Sequence, residues 1–373
     1  MGIRGMEEAE GLMKAIHYQN FVNKMDDVFQ TYAEKTAIVD YVSEEIVKRY
    51  SYEELFEYAM QVKMALARQN VITKERVAVL AKPSAYSAML LLSLSYLGYV
   101  AVLLDLSLSL EERSRALEEA EPSAIITTEK LLSSLENKLW SSHPVFCLRG
   151  AEGISLTNPD HKAWEKSELP RNEDVIAMIY ATDTNAGVQC AEVTCQEMAF
   201  YASFSAQYAE YDAKARFLHI LPQTQVAGYT MLFINFLQGS EMAFVPEISN
   251  DSLTMGLRAY EPTHLVMLPK VYETIRKKIE TEIEERPKGA QLLFHSCKAL
   301  SSTVRRVTGR GMKHLMRPFY ASAFGRNIQV IGCEAAPCPV ETVCFFQDMG
   351  IDFLNMGGST EHQAFFKKGK DAK

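Results

Sequence analysis

Apolar residues recur along this chain in two spacings that alternate. Phe21 to Ala33 carries apolar positions at helical intervals, and Thr36-Ala37-Ile38-Val39 follows as a short apolar run of strand length. Ser51 opens the next helical pattern as an N-cap, with Glu54 three residues on as its capping-box partner, and the pattern runs through Ala67. Arg76 to Leu80 reads as a strand, a helix reaches Leu97, and Val100 to Leu104 returns as a strand. Ser109 caps a helix from Leu110 to Glu119, and Ala124 to Thr127 is again a strand. After a polar stretch the rhythm restarts. Val175 to Ile179, Phe217 to Leu221, Met242 to Val245, Thr263 to Leu268 and Ile328 to Ile331 read as strands. Gly228 to Leu237 is a helix, and Tyr272 to Tyr320 is a long helical region rich in Lys, Arg and Glu.

Strand and helix in such alternation predict an α/β fold whose mostly parallel sheets are covered by helices on both faces. Gly150 to Asp174 is polar, with Pro159 and Pro170, and divides the chain in this reading: 1–150 a first α/β lobe, 151–174 a linker, 175–373 a second lobe. Pro83 to Leu104 carries no charge and is long enough to span a bilayer. Gly98 and its serines split it instead into a buried helix and a buried parallel strand, so no transmembrane segment is expected.

Composition narrows the function classes. A net charge of −8 over 373 residues argues against a nucleic-acid binder. Seven scattered cysteines with no Cys-x-x-Cys pair fit reduced thiols of a cytoplasmic protein, and Cys333, Cys338 and Cys344 read as packing thiols before metal ligands. The first 35 residues are polar and repeatedly charged, with no signal peptide.

The segment Tyr180-Ala181-Thr182-Asp183-Thr184-Asn185-Ala186-Gly187-Val188-Gln189-Cys190 follows an apolar strand and precedes a helix-like stretch from Gln196. Strand, small-residue turn and helix are the setting of loops that wrap phosphate with backbone N–H groups. Such loops use glycines for close approach and a lysine for charge. Here no Lys or Arg occurs between Arg171 and Lys214, and Asp183 repels a polyphosphate.

Around that segment the chain resembles the N-terminal domain of the adenylate-forming acyl-CoA synthetase superfamily, which also contains luciferases and peptide-synthetase adenylation domains. The resemblance runs from about Phe21 to Glu361. It rests on Glu34-Lys35-Thr36-Ala37-Ile38, Tyr52-Glu53-Glu54-Leu55, Glu75-Arg76-Val77-Ala78 and Leu97 to Val102 in the first lobe. In the second it rests on Leu221-Pro222 with Val226-Ala227-Gly228, where relatives read Leu-Pro-x-x-His-x-x-Gly, and on Pro262-Thr263-His264. Leu268 to Ile275 and the basic helical region after it look most like the long-chain fatty-acid members.

By that resemblance Tyr180, Thr182, Thr184, Gly358 and Thr360 would bind nucleotide, Thr184 and Glu361 are the residual catalytic residues, and Glu361 would hold Mg²⁺. Gln225, Val226, Gly228, Cys333 and Glu334 would line the substrate pocket. The functional motifs also depart from the family's pattern. Where relatives read Tyr-Thr-Ser-Gly-Thr-Thr-Gly-x-Pro-Lys-Gly, this chain has Asp183, Ala186, Val188, Gln189 and Cys190 at the glycines, proline and lysine. Gln225 replaces the histidine, Cys333-Glu334 a Gly-Gly pair, and Gly357 the aromatic that stacks on adenine. The sequence ends at Lys373, so the ribose-binding aspartate and the lysine of the C-terminal domain are expected to be lacking.

Removing one preorganised donor costs roughly 10²–10³ in rate, and several are replaced here together. The expectation is a pseudoenzyme with no cofactor that binds an acyl chain, a carboxylic acid or a protein partner, including a second copy. The alternative is a ligase using ATP and Mg²⁺ with a C-terminal domain supplied in trans. Three smaller readings stay open. Asp183, Glu334 and Glu361 form either a metal site or a solvated acidic rim. Cys190 and Cys195 are either nucleophilic or structural, and His219 reads as a core histidine. The stretch Arg305 to Arg317 is either a solvated helix face or a contact for anionic lipid or an acidic carrier.

Overall fold

In a computed structural model the described residues are 21–42, 45–128, 130–131, 144–149, 153–154, 170–183, 187–199, 212–245, 249–333 and 338–355. The first part holds α1 (Phe21–Thr31), β1 (Thr36–Val42), β2 (Glu45–Ser51), α2 (Tyr52–Arg68), β3 (Arg76–Leu80), α3 (Ala85–Tyr96), β4 (Val100–Leu104), α4 (Leu110–Ala120), β5 (Ala124–Thr128), β6 (Val145–Arg149) and β7 (Gly153–Ile154). Then come β8 (Val175–Asp183), β9 (Gly187–Thr194), β10 (Arg216–His219), α5 (Val226–Leu237), β11 (Glu241–Phe244), α6 (Asn250–Tyr260) and β12 (His264–Met267). The chain continues through α7 (Pro269–Glu284), α8 (Lys288–Thr308), α9 (Lys313–Phe324), β13 (Val330–Cys333), α10 (Val340–Asp348) and β14 (Asp352–Asn355).

Two seven-stranded sheets result, ordered β7-β6-β5-β3-β4-β8-β9 and β14-β13-β12-β10-β11-β1-β2. Each is parallel except at the edges, where β2, β7 and β9 run antiparallel. The alternation of side chains explains the layers. In the first sheet Val77, Val79, Ala101, Leu103, Ala177 and Ile179 face one core with α1, α2, α3 and α5. The residues between them, Ala78, Leu80, Val102, Leu104, Met178 and Tyr180, face a second core under α4. In the other sheet Phe217, Met242 and Val266 join the shared central core, while Leu218, Ala243, Leu265 and Ile331 face α6 to α10. Both faces of both sheets are buried, which is why their strands read as continuous apolar runs. The layer order is helix, sheet, helix, sheet, helix.

The helix starts are set by side-chain caps. Ser51 and Glu54 close a reciprocal capping box at α2, and Ser109 with Glu112 does so at α4. Ser84 and Ser87 form the same box at α3. The uncharged stretch from Pro83 to Leu104 is α3 and β4, buried as expected. Among the described residues no helix is long and apolar enough to cross a membrane.

Three features differ from the sequence reading. The sheets do not divide the chain at residues 150 and 175. β1 pairs parallel with β11 through Ile38 and Met242, and β8 completes the sheet of β3 and β4. The long helical region is three helices, broken at Pro287 and at Gly309, which ends α8 at φ +80°. The segment after β8 is not a strand entering a helix. It is a β-hairpin in which Tyr180 pairs with Cys190 and Asp183 with Gly187.

Candidate functional site

Parallel α/β sheets bind ligands beyond the carboxyl ends of their strands, where adjacent strands send their helices to opposite faces. In this fold that point lies between β10 and β12. α5, after β10, packs in the central core, while α7, after β12, packs on the outer face. The loop from Ile220 to Gln225 leaves β10 at this edge, Cys333 ends β13 beside it, and Asn355 ends β14.

The sequence-derived pocket residues Gln225, Val226 and Gly228 are brought together at the start of α5. Gln225 is its N-cap, is exposed, and makes no side-chain cap bond. No acidic residue stands in the first turn. The first N–H groups of a helix have no intrahelical acceptor, so this end offers donors and positive potential to an anion. Gly228 is buried, and a Cβ there would lie 2.0 Å from the Pro222 carbonyl oxygen. A glycine is what lets α5 begin directly against Leu221-Pro222. Val226 packs on the central core.

A residue the motif reading passed over stands two positions before the cap. Gln223 is 3% exposed, and its Oε1 accepts a hydrogen bond from Ser87 Oγ at 2.7 Å. Its Nε2 has no hydrogen-bond partner among the described residues. A buried amide donor without an acceptor costs about 1–3 kcal/mol, so it calls for a ligand oxygen or water. Because Ser87 starts α3, this bond also joins the carboxyl edges of the two sheets. Burial is the only sign of Gln223's place, and a motif does not carry burial.

Cys333 is fully buried in the outer core with Tyr272 and Phe346, where its free thiol shares a hydrogen bond with that of Cys338. Glu334 lies outside the described residues, as do Thr184, Gly358, Thr360 and Glu361. The proposed cluster of Asp183, Glu334 and Glu361 falls there too, apart from the Asp183 backbone. Among the described residues no three His, Cys, Asp or Glu side chains gather as metal ligands.

The β8–β9 hairpin stands at the carboxyl edge of the other sheet. Tyr180 is 1% exposed, packed with Leu104, Leu108 and Leu117, and its carbonyl accepts from the Asp105 N–H at 3.1 Å. Burial, with the Cys190 thiol beside it, raises the phenol's pKa well above its usual value. Its side chain is therefore a core element. Thr182, two residues on, is exposed. Gln189 Nε2 donates to the adjacent Val188 carbonyl at 2.9 Å. The next helix starts only after Thr194, in a capping box with Glu197, so a full strand separates its positive end from the turn. The described residues of the hairpin contribute no Lys or Arg of their own, and no helix begins within it.

Burial pushes the Cys195 thiol up to about 12 and raises that of the half-buried Cys190, which disfavours the thiolate form that a nucleophile needs. His219 is a core histidine, stacked on Phe244 at 4.9 Å and pushed down to about 3 by burial. A surface cleft lined by Lys74, Arg76, Asp174 and Glu192 opens at the amino ends of β3, β4 and β8, opposite the site.

A match to the family described as "AMP-binding enzyme" covers residues 25–370. The chain belongs to this family. A curated relative, a 2-succinylbenzoate–CoA ligase of Bacillus cereus, is 25% identical over 238 residues, 63% of this chain and 46% of that protein. The chain thus spans about half the length of the curated relatives it matches. Among solved structures, O-succinylbenzoate coenzyme A synthetase from Bacillus subtilis in complex with AMP superposes with a TM-score of 0.64 at 18% identity, covering 92% of this chain and 74% of that one. ATP-bound MatB from Rhodopseudomonas palustris gives 0.62 at 17% identity, covering 88% of this chain and 57% of the other. Both likenesses show the AMP-binding fold. The expected two-sheet α/β architecture is this one.

Proposed function

We propose that this chain is a ligand-binding member of the AMP-binding enzyme family that holds a carboxylic acid and does not, by itself, activate it with ATP. The observation that carries the second half is the hairpin. At the place where relatives hold glycines and a lysine, it has Asp183, Val188, Gln189 and Cys190, and no Lys or Arg occurs from Asn172 to Ala213. Charge neutralisation is the main work of such a loop. Its replacement by Asp183 and the uncharged Val188, Gln189 and Cys190 removes it.

The acid site in this reading is the crevice beyond β10 and β12. A carboxylate there would face the uncapped N-terminus of α5 and lie within the neighbourhood of the Gln223 amide. The tail would follow the apolar wall of α5. A fatty acid suits that wall, whereas the curated relatives are named for a succinylbenzoate substrate.

Retention of Thr360 and Glu361 favours a second reading, a ligase acting with ATP, Mg²⁺ and a complementary C-terminal domain. Calorimetry separates the two. Saturable heat with a fatty acid or succinylbenzoate, and none with ATP·Mg²⁺, is the expected result. Micromolar ATP affinity would overturn the silent reading, and absence of heat with every acid would overturn the acid site.

A further inference from the structure

α8 carries more large apolar side chains outward than inward. Only Phe294 and Ser301 are buried. Leu292 is 69% exposed, Leu293 58%, Leu300 52% and Val307 82%, half of the exposed large hydrophobics among the described residues. At helical pitch they form one stripe, with Gly289, Ser296 and Thr303 between them. Leu293, Leu300 and Val307 recur every seventh residue along its length. An exposed apolar stripe of this kind marks a contact surface.

The charge beside the stripe is of one sign. α8 contains no Asp or Glu, and none occurs from Arg286 through Cys333 in a chain that holds 47 carboxylates. Lys288, His295 and Arg306 flank the stripe on one side, and Arg317 is exposed on α9. Arg305 is the exception, since its Nε bonds Asp348 at 2.7 Å and anchors α8 to α10. Glu284 and Glu285 lie just before the helix, so the basic character is strongest towards its C-terminal end.

We propose that α8 docks this chain on an anionic lipid surface, with the leucine stripe in the acyl–headgroup boundary and Lys288 and Arg306 at the headgroups. A helix with a leucine face bordered by Lys and Arg is the form that lies in a bilayer interface. A protein partner fits less well. Protein hot spots are enriched in Trp, Tyr and Arg and poor in Leu, Val, Ser and Thr, and this face consists of the latter. A second copy paired through the same face would set one carboxylate-free basic helix against another.

The test is co-sedimentation of the full chain with vesicles of phosphatidylcholine alone and with added phosphatidylserine, at physiological salt. Binding to the anionic vesicles is expected, with little to the neutral ones. Leu293→Ser with Leu300→Ser abolishes it. Lys288→Gln with Arg306→Gln weakens it about 25-fold, about five-fold per charge. Ile72→Ser, at an exposed apolar residue elsewhere, leaves it unchanged. Hydrogen exchange on the unmodified chain gives a second readout, expected to slow in residues 288–308 when anionic vesicles are added. The proposal is overturned if the chain stays in the supernatant with every vesicle, whether or not it dimerises or binds an acidic protein. Sedimentation of the leucine variant like the parent, or protection confined to another segment, also overturns it.

Discussion

Ser87 Oγ donates to Gln223 Oε1 across 2.7 Å, and the bond ties the first turn of α3, in one sheet's layer, to the loop that leads from the other sheet into α5. The opposite end of that amide, Nε2, has no partner among the described residues. Gln223→Leu keeps the volume and removes the unmatched donor, while Ser87 Oγ can still donate to the Ser84 carbonyl at 3.0 Å. Urea unfolding should therefore place the variant within about 1 kcal/mol of the parent. Calorimetric acid binding should fall at least about ten-fold, equivalent to about 1.4 kcal/mol. A purely structural glutamine would show the reverse pattern.

His219 and His264 give the fold an acid limit. Asn235 Nδ2 lies 3.3 Å from His219 Nε2, which as acceptor requires the neutral ring. Burial pushes His219 down to about 3 and His264 to about 4. A histidine of lowered folded pKa destabilises the fold only where the unfolded chain is protonated and the folded one is not. Stability should thus be level above pH 6.5 and fall below it, by about 1.4 kcal/mol per pH unit for each ring, until the folded values are reached. His219→Phe, set between Phe217 and Phe244, should roughly halve that slope in thermal melts between pH 6 and pH 4.5.

Local signals in the sequence were sufficient for local structure. β3 and β4 match their apolar runs at both ends, and the Ser51–Glu54 box marks the start of α2. β2 is not legible because four of its seven residues, Glu45, Lys48, Arg49 and Ser51, are polar or charged and it lies at an edge, so it has no apolar periodicity to read. The pairing of Ile38 with Met242 was not legible either, since a parallel neighbour two hundred residues away leaves no trace in local pattern. The hairpin reads locally as a strand–turn–helix because Val188, Cys190 and Val193 are too sparse to show strand alternation; pairing with β8 supplies the rest. At the site, the motif led to Gln225 and Gly228, whereas Gln223 depends on burial that only the fold creates.

Gly228 tests whether the mouth of α5 is held by backbone contact. A Cβ would meet the Pro222 oxygen at 2.0 Å and the Leu221 oxygen at 3.0 Å, both backbone atoms that no rotamer can move aside. Gly228→Ala should destabilise by about 1–3 kcal/mol, read as a lower urea midpoint at unchanged slope. Ala227→Ser, one position earlier and half-buried, should stay within about 0.5 kcal/mol.

The hairpin makes the strongest demand on the proposed loss of ATP chemistry. If Tyr180 is core, Tyr180→Phe should leave acid binding unchanged and shift stability by less than about 1 kcal/mol, because the ring keeps its contacts with Leu104 and Leu117. If charge is what the hairpin lacks, it should be recoverable. Asp183→Gly with Gln189→Lys removes the repelling carboxylate and returns a cation to the strand after the turn. A hydrogen bond to a charged group contributes about 1.5–3 kcal/mol, so ATP affinity should rise by at least about ten-fold in calorimetry at low salt and decline again as salt is added. A parent chain that already binds ATP as well as this double variant would show that the hairpin's substitutions were never the reason for silence, and would move the explanation to the crevice beyond β10 and β12.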